Sequence, residues 1–126
     1  MKITWEIVEN LIDVIASQME RDNYKPDIIV AMPRGGFIPA RLLADRFDVR
    51  NLISMPDGLL PLTPSDRIGP HKILLVDEVA DSGYTLKRLH ALRPHWKTAV
   101  LHTKTISEFK PDYTGATIAG DPSIIY

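Results

Sequence analysis

Short apolar runs that alternate with stretches of helical spacing constrain this 126-residue chain more than any single residue does. Ile28–Met32, Asn51–Met55, Ile73–Val76 and Thr98–Thr103 are rich in β-branched and leucine side chains and read as strands. Ahead of them, Thr4 is placed to cap a helix. Glu6 sits in its first turn, and Val8, Leu11, Ile12, Ile15, Ala16 and Met19 recur at helical spacing. Pro26 and Asp27 end that pattern. Phe37–Phe47 reads as a second helix with Ile38, Leu42, Leu43 and Phe47 inward, and Tyr84–Leu92 as a third. Lys110–Tyr113 makes a turn, and Ala116–Ile118 a last strand. This order predicts one α/β domain over residues 1–126, with a mostly parallel central sheet flanked by helices. Ligands of such sheets bind outside the carboxyl ends of the strands.

Composition narrows the partners. With 15 basic and 16 acidic residues the formal charge is −1, which gives no electrostatic footprint for nucleic acid or a membrane surface. No segment approaches the ~18 uninterrupted apolar residues of a membrane span. The first 22 residues carry acids among their apolar positions and lack a small-residue cleavage site, so they do not read as a signal peptide. The absence of cysteine excludes disulfides, thiol nucleophiles and cysteine metal sites, and a cytoplasmic location is expected. His71, His90, His95 and His102 lack metal-ligand spacing, and Trp5 and Trp96 read as packing residues. Neither a Walker motif nor G-x-G-x-x-G is present.

Chemistry concentrates in two strand-to-helix junctions. In Ile73–Leu86 (ILLVDEVADSGYTL) a buried strand is followed by Asp77 and Glu78, then by the small, hydroxyl-bearing turn Asp81-Ser82-Gly83-Tyr84-Thr85. Carboxylates can accept hydrogen bonds from ribose-like hydroxyls. Turn and helix-start amides, with the Ser82 and Thr85 hydroxyls, can hold a phosphate. The second junction is Pro33-Arg34-Gly35-Gly36, where paired glycines let backbone amides approach an anion. Taken alone, either segment also describes an ordinary α/β connection with acids near a helix start.

DEVADSGYT resembles the phosphoribosyl-pyrophosphate (PRPP) signature of type I phosphoribosyltransferases. PRGG followed by FIPARLLA is similar to the pyrophosphate loop of xanthine-guanine-type and archaeal purine members, a loop that often carries a non-proline cis peptide. The opening T-W helix and the stretch LHTKTISEFKPDY extend the likeness over roughly residues 3–118. The resemblance implies the type I phosphoribosyltransferase fold and transfer of phosphoribosyl from PRPP to a nucleobase, a 6-oxopurine, with release of pyrophosphate. It implies Mg²⁺ bridging the pyrophosphate and ribose hydroxyls, with Asp77 and Glu78 reaching the metal only through the substrate. Those two acids would bind the ribose hydroxyls and stabilise an oxocarbenium-like centre. Ala80, Asp81, Ser82, Gly83, Tyr84 and Thr85 would anchor the 5′-phosphate, and Arg34, Gly35 and Gly36 the pyrophosphate. Asp81 would also act as general base or acid at N7 of the purine, and Lys104 would read the exocyclic oxygen of the base.

Two stretches depart from the family pattern. Pro56–His71 is proline-rich, with Pro56, Pro61, Pro64 and Pro70, where the family carries a lid that closes over PRPP. The family's C-terminal hood, ending in W-[IV]-x-F-P-W-E, is expected to be truncated, because no tryptophan follows Asp121 in DPSIIY. A second reading follows from that departure: a non-catalytic PRPP- or nucleotide-binding regulator with the same fold. A third, an interaction module with fortuitous acids, predicts no PRPP binding. The partners expected are PRPP, a nucleobase and a second copy of the chain in a homodimer, with no nucleic acid and no membrane.

Overall fold

The computed structural model describes residues 2–55 and 71–119. The expected lid, apart from His71, and the terminal hood segment lie outside the described residues. Helix α1 (Trp5–Arg21) starts where predicted, with the Ile7 N–H donating to the Thr4 hydroxyl. Its buried side chains are the six expected from the spacing, Val8 through Met19. Strand β1 (Ile28–Ala31) leads into α2 (Phe37–Phe47) and β2 (Asn51–Ser54); β3 (Ile73–Ala80), α3 (Tyr84–Leu92), β4 (Lys97–Lys104) and β5 (Tyr113–Ile118) follow.

The strands form one sheet in the order β2-β1-β3-β4-β5, and every neighbouring pair is parallel. One face carries α1 and α2. There Leu11, Ile15, Met19, Ala40 and Leu43 pack on Ile29, Leu74, Val76, Ala99 and Leu101. The other face carries α3, whose Leu86 and Leu89 join Val30, Ile73, Leu75, Trp96 and Val100. Burial on both faces explains why the strands read as continuous apolar runs rather than alternating ones. At the β5 edge, Gln18 of α1 donates to the Thr114 carbonyl at 2.8 Å and accepts from its N–H at 3.1 Å, so α1 satisfies part of the strand's outer backbone.

Four sequence expectations change. β3 does not stop at Val76: Asp77, Val79 and Ala80 stay paired with Val100, His102 and Thr103 of β4, so both acids lie inside the strand. β5 begins at Tyr113, opposite Ala99, three residues before the expected Ala116. On α2 the inward residues are Pro39, Ala40, Leu43 and Ala44, while Ile38 is 50% exposed and Leu42 and Phe47 are half-buried. Small residues bring this helix close to the sheet, and that closeness sets its rotation. Trp96 is buried as expected, but Trp5 is 62% exposed and does not pack in the core.

Candidate active site

The strand order reverses between β1 and β3, which are neighbours in the sheet. The helix leaving β1 covers one face and the helix leaving β3 the other, so a crevice opens between their carboxyl ends. Both sequence motifs lie at that point. Pro33–Gly36 follows β1, and Asp77–Thr85 runs from the end of β3 into α3.

The first loop is set by backbone contacts. The Gly36 N–H donates to the Met32 carbonyl at 2.7 Å, and the Met32 N–H donates to the Val76 carbonyl at 2.9 Å, which ties the loop to β3. The Pro33–Arg34 peptide is cis, as the resemblance implied. Arg34 is exposed. Gly35 lies against Glu78: a Cβ built there would be 2.9 Å from both Cβ and Oε1 of that side chain.

Side chains alternate across a strand, and this separates the two acids. Glu78 shares its face with Leu74 and Val76; it reaches Gly35 and a hollow of about 220 Å³ lined by Ile3, Trp5, Ile38, Pro39 and Leu101. Asp77 shares its face with Ile73 and Leu75 and lines a cavity of about 120 Å³ with Val79 to Leu86, the phosphate-type turn. The Glu78 N–H donates to Asp77 Oδ1 at 2.7 Å. Burial pushes the Asp77 carboxyl up to about 6, against that hydrogen bond, which lowers it. Glu78 is also raised, first by burial and then by the Asp77 charge.

The turn itself is built around Gly83, which has φ +82° and stands at the N-cap of α3, where it brings no side chain of its own to the first-turn amides. The Ser82 hydroxyl accepts from the Tyr84 N–H at 3.3 Å. Asp81, Ser82, Tyr84 and Thr85 are exposed, whereas the Ala80 side chain is buried, so Ala80 offers the cavity only its backbone. Lys104 ends β4 with its side chain 9% exposed, and its ammonium lies 3.1 Å from Asp81 Oδ1, whose own side chain is 63% exposed. The structure thus joins the two residues expected to meet the base. Ser107 and Glu108, which the sequence reading did not single out, also touch this turn: the Glu108 N–H donates to the Ser82 carbonyl at 2.7 Å.

Two outcomes follow from this geometry. A valine at position 83 would combine a left-handed backbone with a Cβ placed against Ser107 Oγ and 2.6 Å from the Phe109 nitrogen. Gly83→Val is therefore expected to lose about 2 kcal/mol or more of stability, measured by urea denaturation, and to lose affinity for phosphate monoesters, measured by calorimetry. The second concerns pH. The folded state holds the Asp77 proton more tightly than the unfolded chain does, so this stabilisation is complete below the unfolded value near 4 and lost as pH rises through about 6. The stability advantage of Asp77→Asn over the wild type is expected to grow by about 2 kcal/mol between about pH 4 and about pH 7.5. Parallel stability curves for the two proteins would contradict it.

A parallel sheet whose switch point carries two acids, a glycine turn at a helix start and a second glycine loop is the arrangement that the sequence resemblance implied. The chain belongs to the phosphoribosyl transferase domain family, whose sequence profile matches residues 4–121, and it is an enzyme of the phosphoribosyltransferase class. It is 25% identical over 119 residues to the xanthine-guanine phosphoribosyltransferase of Cereibacter sphaeroides, spanning 81% of this chain and 70% of that one. Its fold is similar to that of a purine phosphoribosyltransferase from Pyrococcus horikoshii, with TM-score 0.74, 24% identity and coverage of 94% of this chain and 87% of the other. A hypothetical protein from Neisseria gonorrhoeae with bound ppGpp superposes with TM-score 0.76 and 26% identity, over 100% of this chain and 88% of that one.

Proposed function

We propose that the chain transfers phosphoribosyl from PRPP to a 6-oxopurine in cytoplasmic purine salvage, and that the ion pair between Lys104 and Asp81 marks the base subsite. That pair carries the reading. A nearly buried ammonium beside a carboxylate at the carboxyl end of β4 offers a purine one donor and one group able to exchange a proton. Lys104 would donate to the exocyclic oxygen, and Asp81 would take up or return a proton at N7 as N9 attacks C1′. Support comes from the xanthine-guanine enzyme among the relatives and from the guanine nucleotide bound by the Neisseria protein. The cysteine-free composition suits the cytoplasm.

In this reading the amides of Ser82 to Thr85 hold the 5′-phosphate, and Asp77, facing the same cavity, accepts from the ribose hydroxyls. Glu78, against Gly35, lies between the ribose and the pyrophosphate loop Arg34–Gly36 and adds negative potential near C1′. Among the described residues no group of three or more His, Asp or Glu side chains could hold a metal ion. The two acids present suit Mg²⁺ held mainly by PRPP oxygens and water, a hard cation that would neutralise the departing pyrophosphate. Since Asp77 accepts best when ionised, kcat/KM for PRPP is expected to fall as pH drops below about 6. A homodimer would cover the exposed Trp5, Phe37 and Ile38 around the apolar hollow, and a monomer in sedimentation velocity would overturn that assignment.

Base competition tests the central residue assignment. Guanine, hypoxanthine or xanthine should be accepted and adenine rejected, because an amino group facing the Lys104 ammonium sets donor against donor. Lys104→Ala should lower kcat/KM for the preferred base by about tenfold to a hundredfold and reduce its margin over adenine. Adenine or a pyrimidine as the sole substrate would refute the role given to Lys104.

A further inference from the structure

The connection from β4 to β5 is unusual for parallel neighbours. Such strands are ordinarily joined by a crossover of a dozen or more residues containing a helix. Here only the eight residues 105–112 separate Lys104 from Tyr113. Tyr113 lies opposite Ala99, five positions below Lys104, so the connection returns about 17 Å along the sheet. It is pinned at both ends. Near β5, the Asp112 N–H donates to the Thr98 hydroxyl at 3.0 Å, and Asp112 Oδ2 accepts from the Thr98 N–H at 2.9 Å. Near β4, the Ser107 N–H donates to the Lys104 carbonyl at 2.9 Å.

Between those pins the chain sits on the phosphate turn. Ser107 is 6% exposed. Its hydroxyl donates to the Phe109 carbonyl at 2.7 Å and accepts from the Phe109 N–H at 3.3 Å. This closes a local turn that aims the Glu108 N–H at the Ser82 carbonyl. Ser107 Oγ also occupies the space where a side chain at position 83 would go. Lys87 of α3 lies 3.5 Å from the Glu108 carboxylate, and the Phe109 ring stands 5.4 Å from that of His90, so the contact continues along α3.

We infer that Ser107 is a positioning residue for the 5′-phosphate: its hydroxyl shapes residues 107–109 into a brace that fixes Ser82 and Gly83, and through them the amides that receive the anion. The inference rests on the reading of Asp81–Thr85 as the phosphate turn. Two features argue against a purely structural role. Among the described residues the hydroxyl bonds only within its own turn, and that turn directs the Glu108 N–H to the loop that receives the ligand. A serine that merely filled a core position would need no such contact. The same turn begins at Lys104, so one short connection sets both the base-reading ammonium and the phosphate amides.

Ser107→Ala removes the hydroxyl and little volume. It is expected to weaken ribose 5-phosphate, measured by calorimetry, by about tenfold, and to raise KM for PRPP with little change in kcat. Affinity for inorganic pyrophosphate, assigned to the Arg34–Gly36 loop, should stay within about twofold. Equal loss of both ligands, or a lower melting temperature with unchanged ribose 5-phosphate affinity, would reduce Ser107 to a structural residue and overturn the inference. In the wild-type chain, ribose 5-phosphate should shift the amide resonances of Ser107 and Glu108 together with those of Ser82–Thr85. Resonances of Ser107 and Glu108 that stay fixed while the turn responds would also overturn it. Thr85→Val separates the two levels. If neither it nor Gly83→Val weakens ribose 5-phosphate, the phosphate turn itself is wrongly assigned; if both do and Ser107→Ala does not, only the brace is wrong.

Discussion

Gly36→Ala is expected to destabilise the protein by about 3 kcal/mol or more, enough to cut the yield of folded chain sharply. The added Cβ would lie against the Val76 carbonyl, 2.5 Å from the Met32 carbonyl oxygen and 2.7 Å from the Met32 nitrogen. All three are backbone atoms. They cannot rotate aside as a flexible side chain would, and they already make the Gly36-to-Met32 and Met32-to-Val76 hydrogen bonds. Relief requires α2 to move away from β1 and β3, which would separate Ala40 and Leu43 from the core and shift Gly35 from Glu78. Urea denaturation of the variant measures the loss. A midpoint equal to the wild type would show that the loop is not wedged in this way.

The second large effect is catalytic. Asp77→Asn combined with Glu78→Gln is expected to lower turnover about a hundredfold or more, because it removes both of the charged groups that the proposed mechanism sets near C1′. The same double variant should be at least as stable as the wild type near neutral pH. Both carboxyls are raised by burial, and Glu78 also by its neighbour's charge, so neutral amides remove that cost. Stability and activity therefore move in opposite directions, as expected of residues retained for chemistry rather than packing. Circular dichroism and steady-state turnover on one preparation check both. A stable double variant with wild-type turnover would remove the acids from the reaction.

Much of this arrangement was legible in the chain. The spacing of Val8, Leu11, Ile12, Ile15, Ala16 and Met19 specifies the buried face of α1, since a helix has one way to bury residues at that period. The turn at Gly83 was legible from residue type, since it needs a positive φ. Where β3 ends was not. Asp77 and Glu78 look like a strand terminus by polarity, yet strand ends facing a crevice tolerate carboxylates that a packed core would not. Reading two acids as a pair also hid their separation to opposite faces, which β-strand alternation requires once the strand is known to continue. Ile38 looked inward by hydrophobicity, but the close seat of Gly36 rotates α2 so that Ala40 and Ala44 face the sheet. Ser107 left no local trace at all. Its part depends on residues 105–112 folding back onto Ser82, a contact across 26 positions that no periodicity encodes.

The most direct test of the whole account is pyrophosphate release. The purified chain, incubated with PRPP, Mg²⁺ and each base in turn, should release pyrophosphate with guanine, hypoxanthine or xanthine and form the matching nucleoside 5′-monophosphate in equal amount. The reaction should be lost in the Asp77→Asn, Glu78→Gln double variant. PRPP binding by calorimetry without pyrophosphate release from any base would contradict phosphoribosyl transfer and leave the site as one that only binds.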